Sequence, residues 1–182
     1  MEVNRLIDVT TLRSIPPQYR GSPIGRLLEY HNLNRSLDDY NAAQLLIRMC
    51  MDHRKRLRLP ANFAYIIRSG GGKLQNSEFD VSYAIAIGGV RAIALIGHTQ
   101  CGMVNLLAKK EQFIRGLVQN AGWEEESAEV HFTNSAALWE IGNEIDFVLS
   151  EVKRIRNRYQ QILVAPLLYR VEDNRVYVVR ES

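Results

Sequence analysis

Four short, largely apolar runs separated by stretches with helical character constrain this chain more than any other feature. They are Gln44–Met49, Phe63–Ile67, Ala92–Ile96 and Gln161–Ala165. Runs of this length without polar alternation suit strands covered on both faces, as in a parallel sheet. Between them, Phe79–Ile87 has the density of a buried helix closed by Gly88-Gly89. Leu138, Ile141, Ile145, Val148, Val152 and Ile155 are spaced 3, 4, 3, 4 and 3, which predicts one apolar stripe on one helix. Tyr177–Val179 follows Asp173-Asn174 and reads as a last strand entered by a tight turn. The alternation predicts an α/β fold with a mainly parallel central sheet flanked by helices.

The opening residues carry Pro16-Pro17, Gly21 and Pro23, then an amphipathic stretch at Ile24–Tyr30. They read as an N-terminal helical arm over residues 1–42 that packs on a body or on a partner subunit. Residues 43–182 form the core of one domain. A length of 182 residues fits that count and buries a core without disulfide help. The 23 Lys+Arg against 20 Asp+Glu give a net charge of +3, too small a surplus to imply a nucleic-acid partner. No apolar stretch reaches the roughly 18 residues of a membrane span, and no signal peptide is legible. Two cysteines cannot build a disulfide framework, which points to a reducing, cytoplasmic setting.

Those cysteines carry the chemistry. In open α/β sheets, ligands bind beyond the carboxyl ends of the strands. Cys50 directly follows the first run, and Cys101 follows the third in Gly97-His98-Thr99-Gln100-Cys101-Gly102. Adjacent parallel strands would bring Cys50, His98 and Cys101 to one point, a donor set suited to zinc. A lone cysteine is more often a buried core thiol. Two at the same kind of strand end, one with a histidine three residues earlier, favour the metal. Redox pairing usually needs close spacing, and 51 positions separate these two. Asp52 and Arg54 are two apart, so on an extended segment their side chains share a side, and the arginine can orient the carboxylate.

Together, Cys50-x-Asp52-x-Arg54 and His98-x-x-Cys101-Gly102 resemble the signature of the β-class carbonic anhydrases. Arg68-Ser69-Gly70-Gly71 is similar to that family's Arg-Asn-Ala-Gly turn, and Pro166–Tyr169 with Tyr177–Val179 is similar to its closing strand pair. The resemblance spans about residues 44–180. It implies a zinc enzyme that hydrates carbon dioxide to bicarbonate through a hydroxide on zinc, built as a homodimer or a dimer of dimers. Cys50, His98 and Cys101 would hold the metal. Asp52 and Arg54 would be the catalytic dyad, with Asp52 a fourth ligand in a closed state. Tyr65, Gly70, Tyr83 and Gly102 would line the substrate pocket. Hydrolysis of carbonyl sulfide or carbon disulfide, or a catalytically weak homologue with a binding role, are the alternatives.

Several signals are set aside. His53 stands where the family has serine and reads as an exposed or packed imidazole rather than a proton carrier. The basic run His53–Arg58 reads as a solvated face. Gly70-Gly71-Gly72-Lys73 lacks the Ser/Thr of a phosphate loop, because Leu74 follows. His31 and His131 have no partner at ligand spacing, and Trp123 and Trp139 read as packing residues.

Overall fold

The structure is a computed structural model that describes residues 5–74 and 77–181. The apolar runs become neighbours in one sheet. Its strands are β1 (Leu6–Ile7), β2 (Leu45–Cys50), β3 (Ala64–Ser69), β4 (Ala92–His98), β5 (Leu163–Arg170) and β6 (Arg175–Val179), in the order β1-β6-β5-β4-β2-β3. β2 to β5 run parallel, as the unalternating runs predict. The margin is antiparallel: β6 returns along β5, and β1 pairs with β6. The fourth apolar run is only the first part of its strand, because β5 continues beyond Ala165 to Arg170. β5 passes through Pro166, which lies opposite Leu95.

Side-chain alternation sends each strand into two apolar layers. Leu45, Ile47 and Met49 pack with Ile24, Leu27 and Leu28 of α1 (Pro23–Leu33) on one face. Leu46, Ile93, Leu95 and Val164 pack on the other with Val81 of α2 (Glu78–Ala86) and Val148, Val152 and Ile155 of α5 (Glu144–Arg158). Each such side chain contributes about 1.5–3 kcal/mol on burial. α1 starts where Ser22 caps the Gly25 amide and Pro23 presets the first turn, and it ends at left-handed Asn34. The N-terminal segment therefore packs on the sheet of its own chain.

The six-residue stripe is not one helix. α4 (Glu125–Trp139) ends before Glu140, and α5 begins after Asn143, whose side chain accepts the Asp146 amide. Leu138 is exposed on α4, and Ile141 sits in the link, bridging to Val104. Only Ile145 to Ile155 form a stripe. The missed signal was Gly142-Asn143, a break followed by a helix cap. α3 (Lys110–Ala121) and α4 form a helical hairpin inserted between β4 and α5. Among the described residues, no helix is long and apolar enough to cross a membrane.

Candidate metal centre

The chain leaves β2 to form β3 on one side, then returns to place β4 on the other side of β2. That reversal opens a crevice at the carboxyl ends of β2 and β4, the usual place for a ligand in such sheets. Cys50 ends β2 and His98 ends β4. Gln100 then adopts a left-handed conformation (φ 57°), which turns the chain and delivers Cys101 to the same point. One ligand atom from each of Cys50, His98 and Cys101 lies within 4.8 Å of the others. Their exposures are 4%, 1% and 5%.

The chemistry of the cluster fits a metal. His98 Nδ1 lies 2.9 Å from the Thr99 carbonyl, to which it donates as the Nδ1–H tautomer. Nε2 then carries the free lone pair, and this buried atom has no hydrogen-bond partner among the described residues. A buried polar atom left in this way costs free energy unless something meets it. The Cys50 thiol is pulled down by its hydrogen bond with Cys101, and the same contact pushes the Cys101 thiol up. Two sulfurs and one imidazole nitrogen form a donor set suited to zinc, with three protein donors as in catalytic sites.

Asp52 and Arg54 come together beside the cluster, though not on an extended segment. Residues 53–54 form a turn in which the Arg54 amide donates to Asp52 Oδ1 at 2.9 Å. This is an Asx turn, and it folds the guanidinium back onto the carboxylate. Arg54 Nε and Nη2 reach Oδ1 and Oδ2 at 3.1 and 2.8 Å. The pair holds the Asp52 carboxyl well below the usual carboxylate range. Arg54 is fixed in turn by Gln100, through its side-chain oxygen at 3.1 Å and its carbonyl at 2.9 Å. Glu172 accepts from Gln100 Nε2 at 3.0 Å and from Thr99 Oγ1 at 2.7 Å.

A family model described as carbonic anhydrase matches residues 57–179, about two-thirds of the chain. The chain belongs to the β-carbonic anhydrase family. The matched span includes His98 and Cys101 and begins after Cys50, Asp52 and Arg54. Among solved structures, the chain is similar to a β-carbonic anhydrase of Trichomonas vaginalis at 21% identity and TM-score 0.60, covering 84% of this chain and 92% of that one. It is similar to a carbonic anhydrase from Glaciozyma antarctica at 23% identity and TM-score 0.59, with 75% and 83% covered. It is similar also to a carbon disulfide hydrolase in its apo form, at 19% identity and TM-score 0.58, with 79% and 82% covered. No curated protein matches the sequence.

The structure does not bring every expected site residue of this family member together. Tyr65 lies opposite Leu46, four residues short of Cys50 and Ser69, hence about 13 Å back along the strand. Tyr65 and Tyr83 are both exposed, with the Tyr65 ring lying close over Gly88. Gly102 is exposed, and its carbonyl accepts from Lys109. Gly70 does lie by the centre, lining an apolar chamber of about 450 Å³ with Met51, Met103, Phe132, Ala136 and Trp139. His53 is exposed. His31 is buried, with Nε2 against the Asn174 carbonyl and Nδ1 accepting the Arg58 amide. Trp123 packs tilted against His131, whose ring also lines the chamber.

Arg48 is the residue the sequence reading missed. It sits inside a run taken as apolar, yet its side chain is 1% exposed on the α5 face of β2. Nε donates to the Gly72 carbonyl at 3.1 Å and Nη2 to Ser69 Oγ at 2.5 Å, while Nη1 has no partner among the described residues. Burial lowers its pKa to about 10. The loop it holds needs glycine for its backbone conformation: Gly71 and Gly72 have φ of 62° and 79°, which side-chain-bearing residues rarely adopt. Lys55 is also buried, donating to the Asp52 carbonyl at 3.1 Å, and burial lowers its pKa. For Arg48 the available signal was an arginine inside an apolar run. Lys55 gave none, and its burial corrects the reading of His53–Arg58 as a wholly solvated face, because its ammonium turns inward to the Asp52 carbonyl.

Proposed function

We propose that this protein hydrates carbon dioxide to bicarbonate, with zinc held by Cys50, His98 and Cys101. The observation that carries the reading is the unpartnered Nε2 of His98 beside two buried thiols, with an ionised carboxylate locked next to them. Zinc, when bound, supplies a Lewis acid that makes water acidic enough to attack carbon dioxide near neutral pH. Asp52 accepts a hydrogen bond from the attacking water at a carboxylate oxygen and orients it toward the substrate carbon. Arg54 keeps that oxygen ionised and aimed, and Gln100 with Glu172 keeps Arg54 in place. The Arg54 pairing supports an open state; Asp52 would be available as a fourth ligand only on release from Arg54. One proton leaves to solvent for each bicarbonate formed.

Hydrolysis of carbonyl sulfide or carbon disulfide is the second reading, favoured by the apolar, thioether-bearing chamber beside the centre. A homodimer is supported by the outer edge of β3, where Tyr65 and Ile66 lie exposed with the Tyr65 ring over Gly88, and by the exposed Phe79, Tyr83 and Ile87 of the α2 segment. The two free thiols support a reducing, cytoplasmic setting. The test is zinc content together with stopped-flow turnover of carbon dioxide and carbonyl sulfide, wild type against Asp52→Ala. About one zinc per chain and a large loss of carbon dioxide turnover are expected. A metal-free protein, or full turnover in the variant, overturns the reading, and zinc without turnover leaves a binding role.

A further inference from the structure

We infer that the chamber between the metal-centre loops and the α3–α4 hairpin binds an uncharged, predominantly apolar molecule of aromatic-ring size. The inference rests on the proposed metal centre and extends it from a triatomic substrate to a larger ligand class. Volume is the first argument. The chamber, which opens to solvent beside Met51 and His131, offers about 450 Å³, within the range of roughly 300–1,000 Å³ typical of small-molecule pockets. One water takes about 30 Å³ of liquid, so a three-atom substrate leaves most of this space unfilled.

The lining is the second argument. Met51, Met103, Leu106, Phe113, Phe132 and Trp139 supply large apolar or aromatic surfaces, and no charged side chain of the described residues lines the chamber. A charged ligand would lose hydration there without compensation, whereas an apolar ring would gain from burial and stacking. Ser69 is already engaged by Arg48 and by the Lys73 carbonyl, which leaves His131 and Ser135 of α4 as the polar groups that can orient a ligand.

Position is the third. Met51 and Ser69 are joined by a backbone hydrogen bond of 3.0 Å right at the Cys50 end of β2. Met103 packs against the two cysteines on one side and lines the chamber on the other. It also touches the space over Gly70 and Gly71. A molecule in the chamber is therefore one thioether side chain away from the cluster. Gly70 keeps that wall thin, since a Cβ there would lie 3.2 Å from the Met103 methyl and 3.3 Å from Trp139.

The experiment titrates toluene into the zinc-loaded protein and follows backbone amide NMR shifts. Saturable binding is expected, with shifts concentrated at Ser69, Gly70, Met103, Ala136 and Trp139. Ala136→Phe and Ser135→Phe fill the chamber and should each weaken binding about tenfold or more. Zinc content is measured on every sample. No saturable titration, or one that both variants leave unchanged, overturns the inference, and Ser135→Phe decides alone if Ala136→Phe fails to fold. Absence of zinc from the wild type would sink the proposed centre instead, while the toluene titration still decides the chamber.

Discussion

α1 and the α3–α4 hairpin use their apolar residues in opposite ways. α1 buries Ile24, Leu27 and Leu28 completely in the layer beneath the sheet. α3 buries no residue, and α4 buries only Ala128, Phe132 and Ala136, the last two lining the chamber. The hairpin leaves Val118, Trp123, Val130 and Leu138 exposed. One helix holds the fold together, and the other pair encloses a space next to the metal centre. Stability and chemistry are therefore carried by different parts of the molecule, and substitutions should separate them.

The sharpest separation is expected at the cluster. Cys101→Ala should abolish zinc retention and carbon dioxide turnover together, read by metal analysis and stopped-flow kinetics. Asp52→Asn should lower turnover by about 10²–10⁴-fold, the usual scale for a positioned proton acceptor, with zinc content unchanged. Leu27→Ala should do the reverse. It should cost about 2–5 kcal/mol in denaturant unfolding while the folded fraction still binds zinc.

A smaller effect is expected at His31, which ties α1 to the β5–β6 turn. Burial lowers its pKa from the usual 6.5, so the folded protein keeps it neutral. As the pH falls below 6.5, the unfolded chain takes up a proton that the folded chain does not, and stability declines. Thermal unfolding of His31→Gln between pH 7 and 5 should show a flatter decline than wild type. The smallest effect is expected on the hairpin: Val118→Ala should stay within about 0.5 kcal/mol of wild type. A large loss there would mean that the hairpin belongs to the cooperative core, which would erase the contrast with α1.

The sheet was legible because its interior strands are buried on both faces, and uninterrupted apolar runs announce that burial. The full length of β5 was less so, since its apolar run covers only the strand's first residues and Pro166–Tyr169 reads as strand only through the family resemblance. The two metal motifs were legible because each donor lies at, or just past, a strand end. Their convergence on one point depends on β2 and β4 being neighbours, which no local pattern states. The link from Arg54 through Gln100 to Glu172 was illegible, because it joins residues 46 and 72 positions apart. The helix stripe from Leu138 to Ile155 misled because period alone does not register the break that Gly142-Asn143 makes.

The sequence by itself determined the class of fold, the donor types and the acid–arginine spacing, all of which follow from short-range periodicity and residue chemistry. Only the tertiary structure decided how they meet. It placed β4 beside β2, turned Asp52 and Arg54 onto each other through an Asx turn, and set Tyr65 and Tyr83 on an edge away from the cluster. It also raised a chamber whose walls come from Met51, Gly70, Met103 and Trp139, residues distant in the chain. Cavities and convergent donors are products of long-range packing, and their free energy depends on contacts that no window of neighbouring residues contains.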